Sequence, residues 1–261
     1  SKIQKNTNMF GQNNMYFCIA GKNECAINFV KFLSKKIKKK DILILPNSSD
    51  NGIDSWQPSL KKFASKNKYQ IVSLVDIYKI KELIFISIEF EKIININKFR
   101  SKELFNFHFS LLPKYRGCHT NFFQIYNGEK ISGVTLHKID HGIDTGSIID
   151  NIKFKLKINT NAYENYLNLM KYSLKLLIKN FEIILKKTYT EKKQNHSRGS
   201  YYSRNSVDYK KMKFFKLKKI KIEDFNKIKA FIFPPIQLPI LNNKVVSKIE
   251  YYNKRIKIKY D

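Results

Sequence analysis

Short apolar runs that alternate with helical patterns constrain this chain more than any other feature. Met15 to Ala20 is one such run, closed by Gly21, and Glu24 to Leu33 then carries apolar residues at helical spacing. A second run, Ile42 to Leu45, stops at Pro46; a third lies around Ile71 to Val75 after a helical segment from Pro58 to Ala64; a fourth is Leu83 to Ile88. Strands that alternate with helices predict an α/β fold with a mostly parallel, Rossmann-like sheet covered on both faces. In such sheets ligands bind beyond the carboxyl ends of the strands.

Further along, Asn161 and Glu164 have capping-box spacing. Leu167, Met170, Leu174, Leu177, Phe181 and Leu185 continue at helical intervals, which predicts one long helix ending near Lys187. Glu191 to Gly199 turns polar and reads as a linker. Beyond it, a helical pattern at Glu223 to Ala230 and alternation through Val245 to Asp261 predict a small C-terminal α+β region ending in a β-hairpin, with Asn253-Lys254 at the turn. The expected organisation is a flexible extension over 1–14, a main domain over 15–190 and a C-terminal subdomain over 191–261. One face of the hairpin is apolar and needs a cover, so a homodimer through it is expected.

Composition excludes several classes. Of 261 residues 43% are hydrophobic, enough for a sizeable core. No apolar stretch is long enough to span a membrane and no secretory segment is recognisable, so a cytoplasmic protein is expected. Cys18, Cys25 and Cys118 form neither a CxxC pair nor a metal set, and they read as small apolar residues. The net charge of +29 comes mainly from lysines spread through all elements, which reads as solvated surface; nucleic-acid binding is not expected.

The chemistry concentrates between Phe105 and Asp150. In Asn106-Phe107-His108-Phe109-Ser110 the three polar residues fall on one face of a strand. Leu111-Leu112-Pro113-Lys114-Tyr115-Arg116-Gly117 leaves that strand as a loop. A second element, Gly133 to Asp140, ends in Gly142-Ile143-Asp144-Thr145-Gly146. Singly, each residue reads as structural; together they read as a catalytic constellation.

This segment resembles the signature of the formyltransferases that use 10-formyltetrahydrofolate: an Asn, a His two residues on, a Ser-Leu-Leu-Pro-x-Tyr-Arg-Gly loop and an Asp in a Gly-Ile-Asp-Thr-Gly turn. The resemblance implies Asn106, His108 and Asp144 as the catalytic set and requires no metal. It places the pterin of the folate against Glu89, Phe90, Lys92 and Ile93 and against the loop carrying Asp140 and Ile143. His137, His141, His119 and His196 are expected at the surface or in an outer layer.

The stretches Gly199-Ser200-Tyr201-Tyr202-Ser203-Arg204 and Ala230-Phe231-Ile232-Phe233-Pro234-Pro235-Ile236-Gln237-Leu238-Pro239, with Gly21-Lys22-Asn23 after the first strand, resemble those of the sugar N-formyltransferases, which act on dTDP-linked 3- or 4-amino-dideoxy sugars destined for surface polysaccharides such as O-antigen or capsule. Lys22, Trp56, Gln57 and Ser59 form one candidate substrate group. Tyr115, Arg116, Tyr201, Tyr202, Arg204 and Phe231 form the other, combining rings for a base with guanidinium for phosphate. Three alternatives stand beside this reading: a methionyl-tRNA formyltransferase, whose RNA-binding C-terminal domain is larger than this one; a glycinamide ribonucleotide formyltransferase, which ends soon after the long helix; and a non-catalytic nucleic-acid-binding protein.

Overall fold

The computed structural model describes residues 15–261, so the expectation for the first fourteen lies outside the described residues. The described residues divide into two compact units, one of residues 15–106 and 181–188, the other of residues 107–180 and 189–261.

In the first unit β1 (Tyr16–Gly21) leads to α1 (Asn23–Leu33), β2 (Ile42–Pro46), α2 (Leu60–Lys66), β3 (Gln70–Ile71), α3 (Leu74–Tyr78), β4 (Leu83–Ile88) and the first part of β5 (Glu103–His108). The strands lie in the order β3-β2-β1-β4-β5, and every pairing is parallel. β1 and β4 are buried along their whole length, as expected of parallel strands covered on both faces. Phe181, at the end of the long helix, meets Phe17 and Phe32 at 5.8 and 5.4 Å between ring centroids. Burial pushes the Cys18 thiol well above its ordinary range, which suits the apolar role expected of it. Gly21 is demanded by packing, because a Cβ there would lie 1.9 Å from the Ile88 carbonyl oxygen.

The third apolar run behaves differently from expectation. The strand ends at Ile71, and Ser73 caps a new helix whose Asp76 carboxylate accepts the Ser73 N–H at 2.7 Å. The local cap outcompetes strand extension. α2 likewise begins at Leu60, where the Ser59 hydroxyl accepts the Lys62 N–H at 2.9 Å.

The second unit takes up the end of β5 and continues through β6 (Arg116–Gly117), α4 (Thr120–Tyr126), β7 (Ile131–Lys138), β8 (Ile148–Lys155), the greater part of α5 (Ala162–Leu185), β9 (Tyr201–Tyr202), α6 (Tyr209–Met212), β10 (Phe214–Phe215), α7 (Ile222–Ala230), β11 (Ile240–Leu241), β12 (Lys244–Tyr252) and β13 (Arg255–Tyr260). β7 and β8 are antiparallel and follow β5 in the order β5-β7-β8. The reciprocal Asn161–Glu164 cap is present, at 2.9 and 3.1 Å. Asn253 and Lys254 make the hairpin turn with φ of 47° and 61°, both left-handed as a tight two-residue turn requires.

Much of the hairpin's apolar side is covered by this chain itself. Val246 and Ile249 are buried with Phe225, Ile228 and Ile232, and Ile256 and Ile258 pack against them. The polar stretch 191–199 is also more tied down than a linker, since Lys192 and Ile148 exchange two main-chain hydrogen bonds of 2.8 Å.

Candidate active site

His108 ends β5, two residues after Asn106 on the same strand, and is buried. Its Nε2 lies 2.6 Å from the Tyr115 carbonyl oxygen. A carbonyl only accepts, so Nε2 carries the hydrogen, and the lone pair of the neutral ring sits on Nδ1. Nδ1 faces the Asp144 Oδ2 at 3.4 Å. Burial holds the His108 pKa below its ordinary 6.5, although Asp144 and the Tyr115 carbonyl pull it upward. The ring is therefore neutral near pH 7 and ready to take a proton at Nδ1.

Asp144 sits in the turn after β7 with φ 54°, a left-handed conformation. Its Oδ2 accepts the Gly117 N–H at 2.8 Å, and its Oδ1 faces His137 Nε2 at 3.4 Å. Burial alone would raise its pKa, but His108, His137 and the Gly117 N–H together hold it well below the usual carboxylate range. It is an anion throughout the physiological range. Gly146 closes the turn against Lys138, whose carbonyl oxygen would be 1.9 Å from any Cβ placed there.

His137 is buried against Asp144, in the outer layer rather than at the surface, one of the two places expected for it. Its Nδ1 donates to the Lys138 carbonyl at 2.7 Å, leaving Nε2 toward Asp144. Strand alternation put it on the face of Thr135, but nothing in the pattern says which face is covered. Gln194 is another neighbour of Asp144 with no sequence signal: its side-chain amide donates to the Asp144 and Gly146 carbonyls at 2.9 and 2.7 Å.

In the first unit, Asn47 pins the backbone after β4. Its Nδ2 donates to the Glu89 carbonyl at 3.0 Å and its Oδ1 accepts the Glu91 N–H at 3.2 Å, while Glu89 adopts φ 53°. Phe90 packs toward Phe85 at 6.3 Å, Lys92 is exposed and Ile93 is 76% exposed. A cavity of about 260 Å³ in the same unit is lined by Lys22, Asn23, Ser49, Asp50, Gln57 and Ser59 among others. Gln57 is buried and accepts the Glu24 N–H at 3.3 Å, whereas Trp56 is exposed and outside the cavity lining.

In the second unit, Asp140 accepts the Gly142 N–H and the Thr145 hydroxyl at 3.1 and 2.6 Å, and Ile143 is 39% exposed. Tyr115 is buried, donates its hydroxyl to Glu129 at 2.8 Å and stacks on Tyr202. Tyr202 stacks in turn on Phe123, with centroids 3.7 Å apart. Tyr201 is 50% exposed, and Arg204 is exposed while its carbonyl contacts His119. Arg116 has a buried Nε without a hydrogen-bond partner among the described residues. Phe231, at 1% exposure, belongs to the core cluster with Phe122 and Ala230, so its ring packs inside the protein and does not offer a face to a ligand. Among the described residues no group of three His, Cys, Asp or Glu side chains could hold a metal, and no helix is long and apolar enough to cross a membrane.

The chain is similar to several proteins of known structure or activity. The structure of WlaRD, a sugar 3N-formyl transferase solved in the presence of dTDP and 5-N-formyl-THF, is 45% identical; the match covers 92% of this chain and 87% of that one, with a TM-score of 0.87. The N-formyltransferase from Helicobacter canadensis, in complex with folinic acid and dTDP-3-aminofucose, is 39% identical over 95% of this chain and 96% of its own, with a TM-score of 0.86. The methionyl-tRNA formyltransferase of Mycoplasmopsis pulmonis is 30% identical over 85% of this chain and 79% of its length. The bifunctional polymyxin resistance protein ArnA of Wigglesworthia glossinidia brevipalpis is 33% identical over 57% of this chain, which spans only 23% of that protein. A formyl transferase family model matches residues 26–178, more than half of the sequence and the stretch that holds His108 and Asp144, and the chain thus belongs to the formyl transferase family.

Proposed function

We propose that this enzyme transfers a formyl group from 10-formyltetrahydrofolate to the amino group of a dTDP-linked 3- or 4-amino-dideoxy sugar, within surface polysaccharide synthesis. The observation that carries the reading is the His108 ring, held by a carbonyl on one nitrogen and facing a carboxylate on the other. The ligands of the two sugar N-formyltransferase structures support the choice of donor and acceptor.

The residues fit a pterin. The Asn47 amide fixes the main chain from Glu89 to Glu91 as a rigid edge of donors and acceptors, and the exposed Ile93 adds apolar surface beside it. Asp140 and Ile143 offer a second edge in their own loop. When bound, the folate supplies a formyl carbon open to attack by an amine. Asn106 donates its amide to the negative charge that develops on the formyl oxygen, an interaction whose loss typically costs about 3 kcal/mol. His108 accepts the proton of the attacking amine at Nδ1, Asp144 stabilises the imidazolium that results, and His108 returns the proton to the folate nitrogen that leaves as its bond to the formyl carbon breaks.

Lys22, Ser59 and the neighbouring Trp56 and Gln57 are assigned to the acceptor, as are Arg116, Tyr201, Arg204 and the mutually stacked Tyr115 and Tyr202. The proposal places catalysis in residues 15–190, and nucleotide contacts and a homodimer interface in 191–261. Val245, Tyr252 and Tyr260 are exposed on the hairpin, whose strand β13 forms the edge of its sheet. A monomeric mass by light scattering at micromolar concentration would remove the dimer.

The deciding experiment is incubation with 10-formyltetrahydrofolate and a panel of dTDP-, UDP- and GDP-linked amino sugars, read by mass spectrometry. Methionyl-tRNA belongs in the same panel, because the Mycoplasmopsis relative matches over most of the chain and the charge is strongly positive. Formylation of a dTDP-amino sugar is expected. Formyl-methionyl-tRNA with no sugar product would reverse the assignment.

A further inference from the structure

The segment that follows α5 reaches both groups that hold His108. Beyond the Lys192–Ile148 pair, Gln194 is 9% exposed and aims its side-chain N–H groups at the Asp144 turn. Six residues later Ser200 touches the other holder. Its hydroxyl accepts the Tyr115 N–H at 2.8 Å, its carbonyl accepts the Arg116 N–H at 2.8 Å, and its N–H donates to the Pro113 carbonyl at 3.3 Å. The Tyr202 carbonyl then accepts the Cys118 N–H at 2.8 Å, completing the β6–β9 pairing. One strap therefore fixes the loop whose carbonyl takes the Nε2 hydrogen and the turn whose carboxylate faces Nδ1.

The Asp144 turn needs such support. A non-glycine residue at positive φ persists only where its surroundings hold it, and the carbonyls of Asp144 and Gly146 require donors once water is excluded. Gln194 supplies both donors from one amide, a geometry that a shorter or apolar side chain cannot reproduce.

We propose that residues 192–202 form a positioning strap for His108, with Gln194 as the positioning residue for the Asp144 carboxylate and Ser200 for the Tyr115 carbonyl. This rests on the formyltransferase reading above for its kinetic consequence, but not for its structural one. A catalytic group displaced by about 1 Å can cost around a hundredfold in rate, so Gln194 and Ser200 act on turnover without touching substrate.

The test uses the full chain and two variants, Gln194→Met, which keeps length but deletes both donors, and Ser200→Ala. Ring titration of His108 by NMR comes first and needs no substrate. The groups facing the ring are the Asp144 carboxylate, the His137 imidazole and the Tyr115 carbonyl, so release of the carboxylate in Gln194→Met should lower the ring pKa by about one unit. Kinetics should then show kcat reduced about tenfold or more in both variants, with KM within about twofold. A folded Gln194→Met protein with an unmoved His108 titration overturns the proposal; should that variant not fold, an unchanged kcat in Ser200→Ala overturns it. Wild-type protein that formylates no amine would sink the functional reading and leave the ring titration to decide the strap.

Discussion

Replacing Asp144 by Asn tests the site at its centre. The asparagine carbonyl can still accept the Gly117 N–H that Oδ2 accepts at 2.8 Å, so the turn keeps its shape while the charge disappears. An anion within about 4–6 Å shifts a neighbouring pKa by about 1–3 units, and Oδ2 lies 3.4 Å from His108 Nδ1. At 1.36 kcal/mol per unit, the proton affinity of the ring should fall by about 1.4–4 kcal/mol. Because proton acceptance tracks that affinity, kcat at neutral pH should fall by about 10–10³-fold. The sign of the pH effect follows from the same argument. As the proposed base, His108 works only when neutral, so activity in the wild type should rise with pH through a pKa that burial holds below 6.5 and level off near neutrality. Asp144 pulls that pKa upward, and its removal must move the acid limb to lower pH. Steady-state kcat and kcat/KM measured from pH 4.5 to 9 (about the range either protein should tolerate) would check both effects. An acid limb that stays in place or moves up, or a loss of less than about threefold in kcat, would refute this account of the base.

Two further outcomes concern stability. Burial pushes the Lys229 amine down to about 8 despite Glu164, so the unfolded chain binds its proton more tightly between about 8 and the ordinary 10.5. Stability relative to Lys229→Met should therefore increase as pH rises across that window, by up to about 3 kcal/mol in urea unfolding, and a flat or falling difference contradicts it. Gly21→Ala should cost about 2 kcal/mol or more, since the added methyl meets the Ile88 main chain at 1.9 Å; a midpoint within the error of wild type would show that the strands separate more easily than their pairing implies.

The parts of this molecule that sequence made legible are those in which side-chain pattern and backbone geometry coincide. The apolar runs became β1, β2 and β4, Asn161 and Glu164 capped α5 reciprocally, and Asn253-Lys254 made the hairpin turn. His108 and Asp144 meet because a strand end and a glycine-rich turn are both readable as such. Ile71 to Val75 misled because its hydrophobicity fits strand and helix alike, and only the Ser73–Asp76 cap chooses between them. Phe231 was misplaced because periodicity marks a face, but only the fold shows what covers it. The strap was illegible because its anchors are largely main-chain groups at Lys192, Ser200 and Tyr202, whose partners leave no trace in residue identity.

The site balances two opposed effects on one imidazole. Burial alone would make His108 a weak base, always neutral but too reluctant to take a proton; a carboxylate alone, in contact with water, would leave it protonated for much of the time near neutrality and unable to accept another. Placing Asp144 at 3.4 Å, inside the protein, gives a ring that is neutral before the reaction and stabilised once charged. That balance is steep in distance, because electrostatic interactions in a dry interior are far stronger than in water. In the proposed mechanism such a site depends on the groups that fix the carboxylate as much as on the carboxylate itself, which would make the Gly117 N–H and the Gln194 amide, neither of them reactive, part of the chemistry.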